Sequence, residues 1–281
     1  MELSARAAQI AEQIKQQTQT QHLRLTLNEQ RAADITSSKI GGLPYWNPAE
    51  PYPVDSNGAK MILLAQINFA EAPQLSPLPQ QGMLQWFISV NDKLMYGLQG
   101  NTSANQADFR IVFHPAIDRT ITAEAVAALG LPTHATVDKR LSPVAKEAAI
   151  DMSIEQTYMG VNDGRFKKIF NGVVRDITGV DRAEEEWYGY MDNADNLWFE
   201  QNLGMSAPTH QVLGYPVFTQ DDPRSDIARY DTLLFELASQ FGDDGKELVM
   251  WGDMGAGFLF INGEALQRQD FTDVLCAWDC G

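Results

Sequence analysis

The C-terminal third of this 281-residue chain repeats a pattern of glycine, proline and apolar residues that its N-terminal third also carries. In each third the proline of a Gly-x-Pro triplet is followed seven residues later by another proline and then by an apolar run. Each third closes with a glycine five residues before a Phe-Ile pair. Such a repeat predicts a duplicated β-rich unit, which limits the folds that the chain can adopt. The matching positions are Gly42, Pro44, Pro51, 63–67, Gly82 and 87–88 in one copy and Gly214, Pro216, Pro223, 233–237, Gly255 and 260–261 in the other.

The order of the predicted elements favours one fold class. Short apolar runs bounded by turn residues predict strands in both copies, and they follow one another instead of alternating with helices. This favours an α+β fold of two pseudo-repeated, mainly antiparallel β-rich units with flanking helices, packed as one compact body, because no flexible Gly/Ser linker separates them. We expect an N-terminal helix and strand extension at 1–34 and a single domain at 35–281. That domain comprises a first β-rich unit at 35–114, a connecting α/β segment at 115–209 and a second β-rich unit at 210–281.

Four helices are predicted outside the repeated pattern, and one of them is a short helix over residues 122–129 that Gly130 and Pro132 end. Ser4 precedes apolar residues at helical spacing, which predicts a capped amphipathic helix over residues 4–17. In the connecting segment, residues 145–160 are weakly helical by composition. A further helix is predicted over residues 181–190, because Glu184 and the two glutamates after it would lie in its first turns, where the helix dipole favours acidic residues.

The charge balance narrows the class of partner. The chain has 37 acidic and 21 basic residues, and its net charge is −16. Nucleic acids and anionic membrane surfaces both require a cationic face, so neither is an expected partner. A basic protein would be steered toward such a chain. The alternative is that the acidic surface serves solubility alone.

The expected location is the cytoplasm. No apolar stretch of the sequence approaches the ~20 residues that span a bilayer. The first residues lack the basic start and apolar core of a secretory signal.

The string from Met250 to Gly255 is the most distinctive candidate site. Trp251 and Asp253 lie among glycines, an arrangement that could stack on a ligand and hydrogen-bond to it. The alternative is a tight turn between strands, in which Gly252 and Gly255 supply positive φ and Asp253 binds backbone amides.

A second candidate lies at Lys39, which precedes two glycines. Its ammonium and the free amides of the following residues could bind an anion. The alternative is an ordinary solvated cation next to a sharp turn. With Gln66, Trp251 and Asp253, Lys39 completes a predicted ligand-binding set at a cleft between the two repeated units.

Catalytic and metal-binding motifs are missing from the sequence. There is no phosphate-binding loop, no G-x-S-x-G elbow and no histidine pair at metal-ligand spacing. Cys276 and Cys280 have no companion ligands and are expected to contribute to core packing. No cofactor, metal or catalytic residue is therefore predicted, and whether the protein is an enzyme is left open.

Several motifs resemble those of the YwqG-like family of bacterial proteins, which is defined as a domain of unknown function. The resemblance covers roughly residues 35 to 281 and implies an α+β fold. Because some relatives are associated with secreted-toxin loci, it also implies an immunity-like or other partner-binding role. One departure is Glu236, which with Ala238-Ser239-Gln240 replaces the glutamine and acidic-serine turn expected there. The motifs are Ser38-Lys39-x-Gly41-Gly42-x-Pro44, Leu64-Ala65-Gln66-Ile67-Asn68, Gly214-Tyr215-Pro216, Met250-Trp251-Gly252-Asp253-x-Gly255 and the ending from Asp270-Phe271 to Cys280-Gly281.

Three hypotheses for function follow from these observations. The first is a protein-interaction module whose acidic surface docks a protein partner, with a basic partner favoured by the charge. The second is a small-ligand binder or enzyme with a site between the two units. The third is a purely structural subunit.

Overall fold

The computed structural model describes residues 4–183, 185–203 and 209–281, and these contain thirteen strands and five α-helices. The strands are β1 (Thr20–Asn28), β2 (Lys39–Ile40), β3 (Ile62–Asn68), β4 (Met83–Ile88), β5 (Thr102–Ser103), β6 (Phe109–His114), β7 (Ala148–Thr157), β8 (Gln211–Leu213), β9 (Thr232–Ala238), β10 (Gln240–Phe241), β11 (Glu247–Val249), β12 (Ala256–Ile261) and β13 (Val274–Asp279). The helices are α1 (Ala5–Thr18), α2 (Ala123–Ala127), α3 (Phe166–Thr178), α4 (Asn193–Leu203) and α5 (Gly263–Gln267).

Eleven of these strands form one large antiparallel sheet. Their order is β5-β13-β12-β9-β8-β1-β7-β2-β3-β4-β6. At its centre β1 pairs with β7 along its whole length, from the pair Thr20–Thr157 to the pair Asn28–Ala149. The remaining two strands, β10 and β11, form a separate hairpin. The α+β class with mainly antiparallel strands is confirmed.

The sheet curls so that its two ends meet around one apolar interior. The ring of Phe113, on β6, lies 5.1 Å from that of Phe271, which precedes β13. Gln106 Nε2 donates a hydrogen bond of 2.9 Å to the carbonyl of Phe271. Inside the curl, Trp86 and Trp251 stack with their ring centroids 5.7 Å apart. Burial of these large rings is a main source of the fold's stability.

Helices α1, α3 and α4 form a second apolar cluster outside the sheet. Ser4 caps α1 by accepting a hydrogen bond from Ala7 N, and its hydroxyl donates to Asp195 Oδ2 of α4 at 2.6 Å. The predicted N-terminal helix and its cap are therefore confirmed. The cap also fixes α1 against α4.

Two predictions in the connecting segment are corrected. The weak helix predicted over residues 145–160 is wrong, because this stretch forms β7 and its backbone groups bond to β1 and β2. Of the helix predicted at 181–190, Glu184 lies outside the described residues, and the rest forms only a 3₁₀ turn at Trp187–Gly189. The real helix is α3, which buries Phe166, Phe170 and Val173 at helical spacing.

Candidate functional site

A cleft of about 570 Å³ opens between α3, α4 and the loop that follows β8. We call it the acidic cleft, because five carboxylates and one lysine line it. Its lining residues are Val161, Asn162, Asp163, Gly164, Lys167, Glu186, Trp187, Glu200, Asp221 and Asp222.

A buried ion network forms one wall of the acidic cleft. Asp163 accepts two hydrogen bonds from Arg165, at 2.7 and 2.6 Å, and a third from Arg224 Nη2 at 3.2 Å. Arg224 also binds Asp222 through two nitrogens, at 2.9 and 2.6 Å. The side chains of Asp163 and Arg224 are fully buried. Bidentate pairs of this kind fix the position of planar groups, so the wall is rigid.

The arginines keep this wall ionised. Burial by itself would raise the pKa of Asp163, but the hydrogen bonds from Arg165 and the charges of Arg165 and Arg224 outweigh it and hold the pKa below its ordinary value. The network therefore contributes two negative and two positive charges that largely cancel. The negative charge of the cleft surface therefore comes from the carboxylates outside this network.

The remaining charges leave the acidic cleft negative. Lys167 Nζ donates to Glu186 Oε1 at 2.7 Å, so this pair is neutralised locally. Glu200 and Asp221 are exposed and form no salt bridge with any described residue. Five carboxylates set against Lys167, Arg165 and Arg224 give a local net charge of 3 − 5 = −2.

An aromatic ring lies beside these carboxylates. Trp187 is half-buried and contacts the ring of Phe166 edge-on, with centroids 5.6 Å apart. Gly164 N donates to Asp222 Oδ2 at 2.9 Å, which ties the loop before α3 to the wall. A cation that enters the cleft would meet carboxylates and an indole together, a combination that favours lysine or arginine side chains.

Lys39 lies outside the acidic cleft, on β2, and its side chain is buried. Its Nζ binds Glu147 Oε1 at 2.7 Å, and only 2% of its side chain is exposed. A Cβ on Gly42 would overlap the Glu147 carboxylate, so the second glycine makes room for this anion. The interpretation of Lys39 as a solvated cation is wrong, because its side chain is buried and paired with a carboxylate of the chain itself.

Gln66 is adjacent to Lys39 in the sheet and is fully buried. Its Oε1 accepts from Tyr45 N at 3.0 Å, and its Nε2 donates to the carbonyls of Ile35 and Ser37. These bonds anchor the proline-rich loop onto β3. The structure therefore brings Lys39 and Gln66 together, on neighbouring strands.

Trp251 and Asp253 lie in the loop between β11 and β12. Trp251 is buried against Trp86, and a Cβ on Gly257 would overlap its indole. Asp253 is exposed, and its carbonyl accepts from Gly281 N at 3.0 Å. Gly252 has the positive φ that the turn interpretation requires, whereas Gly255 is needed because a Cβ there would overlap the carbonyl of Asp279. A ligand role for these residues stays a prediction.

Comparison with known proteins supplies the family. The model of the family described as Domain of unknown function (DUF1963) matches residues 38–280. The chain belongs to this family. No curated protein matches it. Residues 4–37 of the DUF1963 protein, which carry α1 and β1, lie outside the matched range, although β1 forms the centre of the sheet.

A second opening in the DUF1963 protein is a groove of about 750 Å³ under the β10–β11 hairpin. We call it the hairpin groove. Tyr96 comes from the N-terminal half, residues within 139–146 from the middle of the chain and residues within 241–250 from the C-terminal part. Lys146 binds Glu29 at 2.5 Å, and Glu29 accepts from Asp243 N at 2.6 Å, so the hairpin is tied to the end of β1. The predicted ligand-binding residues Lys39, Gln66, Trp251 and Asp253 are not among those that line it.

Glu236, the departure noted in the sequence, is fully buried on β9. Burial raises its pKa to about 8, against the hydrogen bonds donated by Gln211 Nε2 at 2.7 Å and by the amides of Thr209 and Val217. Gln211 Oε1 lies 2.5 Å from His22 Nδ1, so the polar chain continues onto β1. At neutral pH this carboxyl is mainly protonated.

Sequence reasoning missed the acidic cleft. Asp163 and Arg165 are separated from Arg224 by about sixty positions, and their pairing depends on how the loops meet. Among the described residues, no group of histidine, cysteine and carboxylate side chains is placed to hold a metal ion. No described helix is long and apolar enough to cross a bilayer.

Proposed function

We propose that this DUF1963 protein is a cytoplasmic interaction module that binds a basic segment of a protein partner in the acidic cleft. The observation that carries the proposal is the negative, open cleft whose wall is fixed by the buried Asp163–Arg224–Asp222 network. A lysine or arginine of the partner would bind Glu200 and Asp221 and lie against Trp187. We also infer that the chain belongs to the YwqG-like group, on the motifs that suggested it.

The charge of the whole chain supports the same partner. A net charge of −16 attracts cationic proteins over distances beyond a single contact. At physiological salt such attraction extends about 8 Å, so it accelerates encounter and leaves the final position to the cleft. An immunity-like role fits this scheme, because a module of this kind would mask the cationic surface of its partner.

The test is a titration with a fluorescently labelled decalysine peptide as the probe, read by fluorescence polarisation at two salt concentrations. We expect binding that weakens as salt rises. The double variant Glu200→Gln/Asp221→Asn removes the two carboxylates without changing side-chain size and should raise Kd at least fivefold. This magnitude follows because each charge-assisted hydrogen bond to the peptide contributes about 1 kcal/mol or more in a partly desolvated site.

A matched control separates the cleft from the general field of the protein. Glu50→Gln/Asp92→Asn also removes two exposed carboxylates, and both lie outside the acidic cleft. This control should change Kd less than twofold. Equal effects of the two double variants would contradict the proposal, since the peptide would then be sensing net charge alone.

A second candidate function is supported by the hairpin groove. Its walls come from all three parts of the chain, as a site between two repeated units requires. Strands β2, β3, β4 and β6 follow β7 on one side of the sheet, and β8, β9, β12 and β13 follow β1 on the other, which supports the duplication. We propose the groove as the site of a small ligand, with Lys39, Gln66, Trp251 and Asp253 as residues that position its walls without lining it. A thermal-shift screen tests this, since a true ligand raises the Tm of the protein but not that of a Phe241→Ala variant.

A further inference from the structure

Strand β7 is much longer than its neighbour β2, and this leaves part of its edge open. On β7, only Ala148 and Ala149 pair with β2, and the amide of Ile150 donates to Ser38 O just beyond. From Asp151 to Thr157, the only described strand that pairs with β7 is β1, on the opposite side. At about 3.3 Å per residue this open edge is roughly 23 Å long.

The backbone groups that face the open edge follow from the antiparallel pattern. In such a strand, alternate residues direct both N–H and C=O to the same side. Because Ile150 N points toward β2, the N–H and C=O groups of Met152, Ile154 and Gln156 also point that way. They form no hydrogen bond with any described residue. The open edge therefore presents three donors and three acceptors in a row.

The edge of β6, at one end of the sheet, is treated differently. There Gln106 Oε1 accepts a hydrogen bond from Ile111 N at 2.9 Å, so a side chain covers the edge. Natural proteins usually block edge strands in ways such as this, because an open edge recruits other strands. On β7 such cover lies at the start of the edge, where Arg31 Nη2 donates to the carbonyl of Ile150 at 2.7 Å. Among the described residues, no side chain bonds to the backbone of Met152, Ile154 or Gln156.

Side chains on the open edge indicate what would pair with it. Ile154 is 37% exposed and lies on the same face as Met152, which contacts the apolar interior. Asp151 and Glu155 lie on the opposite face and are exposed. Arg31 Nε lies 2.9 Å from Asp151 Oδ1, whereas the ion-pair partner of Glu155 within the described part of the chain is His22, at 4.0 Å. A strand added here would present apolar residues to one face and meet carboxylates on the other.

We propose that the open edge of β7 binds an extended segment of the partner, in which apolar residues alternate with lysine or arginine. The segment adds a strand in line with β2, bonds to the backbone of Met152, Ile154 and Gln156, and places its cations near Glu155. This mode of recognition takes affinity from backbone bonds and specificity from alternate side chains. It rests on the proposed function in one respect, the basic character of the partner.

The probe is a labelled nine-residue peptide of alternating valine and lysine, titrated against the whole protein. The matched control is the same peptide with its central residue replaced by proline, which cannot donate a backbone hydrogen bond to a neighbouring strand. We expect the alternating peptide to bind at least fivefold more tightly than the proline peptide. Hydrogen exchange should then slow at the amides of Met152, Ile154 and Gln156.

A pair of variants tests the backbone contact. Ile154→Pro removes an outward-facing N–H that β1 does not use, a position where edge strands tolerate proline. Ile154→Ala removes the same side chain and keeps the N–H. Binding should fall at least tenfold in the proline variant and less than threefold in the alanine variant. Circular dichroism of both variants checks that the sheet is retained.

The outcomes separate this inference from the proposed function. Equal binding of the two peptides, equal effects of the two variants or unchanged exchange at the three amides would overturn the strand addition. Decalysine binding that remains sensitive to Glu200→Gln/Asp221→Asn would then leave the acidic cleft standing. If decalysine binding were insensitive to that variant and β7 were protected from exchange, binding in the acidic cleft would be contradicted and the strand addition would still be supported.

Discussion

The contribution of Glu236 to stability should fall as pH rises near neutrality. Its pKa is about 8 in the folded protein and 4.5 in the unfolded chain. The folded state therefore holds a proton that the unfolded state has released. The stabilising contribution is fully present below about pH 4.5 and is lost as pH rises through about 8.

The expected size of the effect follows from these two pKa values. One pKa unit corresponds to about 1.36 kcal/mol, so the whole shift is worth roughly 5 kcal/mol. Between pH 6.5 and pH 8 the folded protein should lose about 1.5 kcal/mol of stability through this one group. His22, His114, His134 and His210 act in the opposite direction, because burial lowers the pKa of each and the unfolded chain still holds more of their protons at pH 6.5. The wild type and a Glu236 variant both carry these histidines, so the difference between the two proteins isolates Glu236.

The assay is urea unfolding at pH 6.5, 7.0, 7.5 and 8.0 for the wild type and for Glu236→Gln. The glutamine cannot titrate, so the free energy of unfolding of the wild type should fall by about 1.5 kcal/mol relative to that of the variant between pH 6.5 and pH 8. Glu247→Gln, an exposed substitution on the hairpin, should keep the slope of the wild type. Parallel pH profiles for the wild type and Glu236→Gln would refute the protonated buried carboxyl.

Two further predictions concern packing and the ion network. Gly257→Ala should destabilise the protein by about 1–3 kcal/mol in urea unfolding, because the new Cβ overlaps the Trp251 indole. The control is Gly172→Ala in α3, where the new Cβ meets open space. This variant should be more stable than the wild type by about 0.5–1 kcal/mol. Unchanged stability in Gly257→Ala would contradict the described position of Trp251. Arg224→Ala should cost about 3–5 kcal/mol, since it removes the cation that pairs with the buried carboxylate of Asp222 and one of the two that pair with Asp163. Arg229→Ala, which breaks an exposed pair with Asp273, should shift the urea midpoint far less, and equal shifts would show that Asp163–Arg224 is not a buried pair.

Local sequence patterns predicted much of the sheet but little of the connecting segment. The apolar runs of β3, β4 and β9 are bounded by Gly and Pro residues, so the sequence shows both the strand pattern and where each strand ends. β7 was missed because Ala148 and Ala149 precede alternating residues that have no turn signal around them. Only its pairing with β1, more than a hundred residues earlier, gives it strand conformation.

The candidate sites show the same limit. Lys39, Gln66 and Trp251 were singled out for their distinctive motifs, and the structure places all three in buried positions. Asp163 and Arg224 carried no local signal, because a salt bridge between loops depends on tertiary contacts alone. The distinctive local motifs contain residues that stabilise the fold. The acidic cleft is formed by residues that belong to no recognisable sequence motif and come together only in the folded structure.

The most direct test of the central claim is hydrogen exchange, read by mass spectrometry, of the whole protein with and without saturating decalysine. We expect slower exchange in peptides that cover residues 160–164, 186–187 and 221–222, and loss of this protection in Glu200→Gln/Asp221→Asn. Protection that appears instead at residues 139–146 and 241–250, or at no single place, would contradict binding in the acidic cleft.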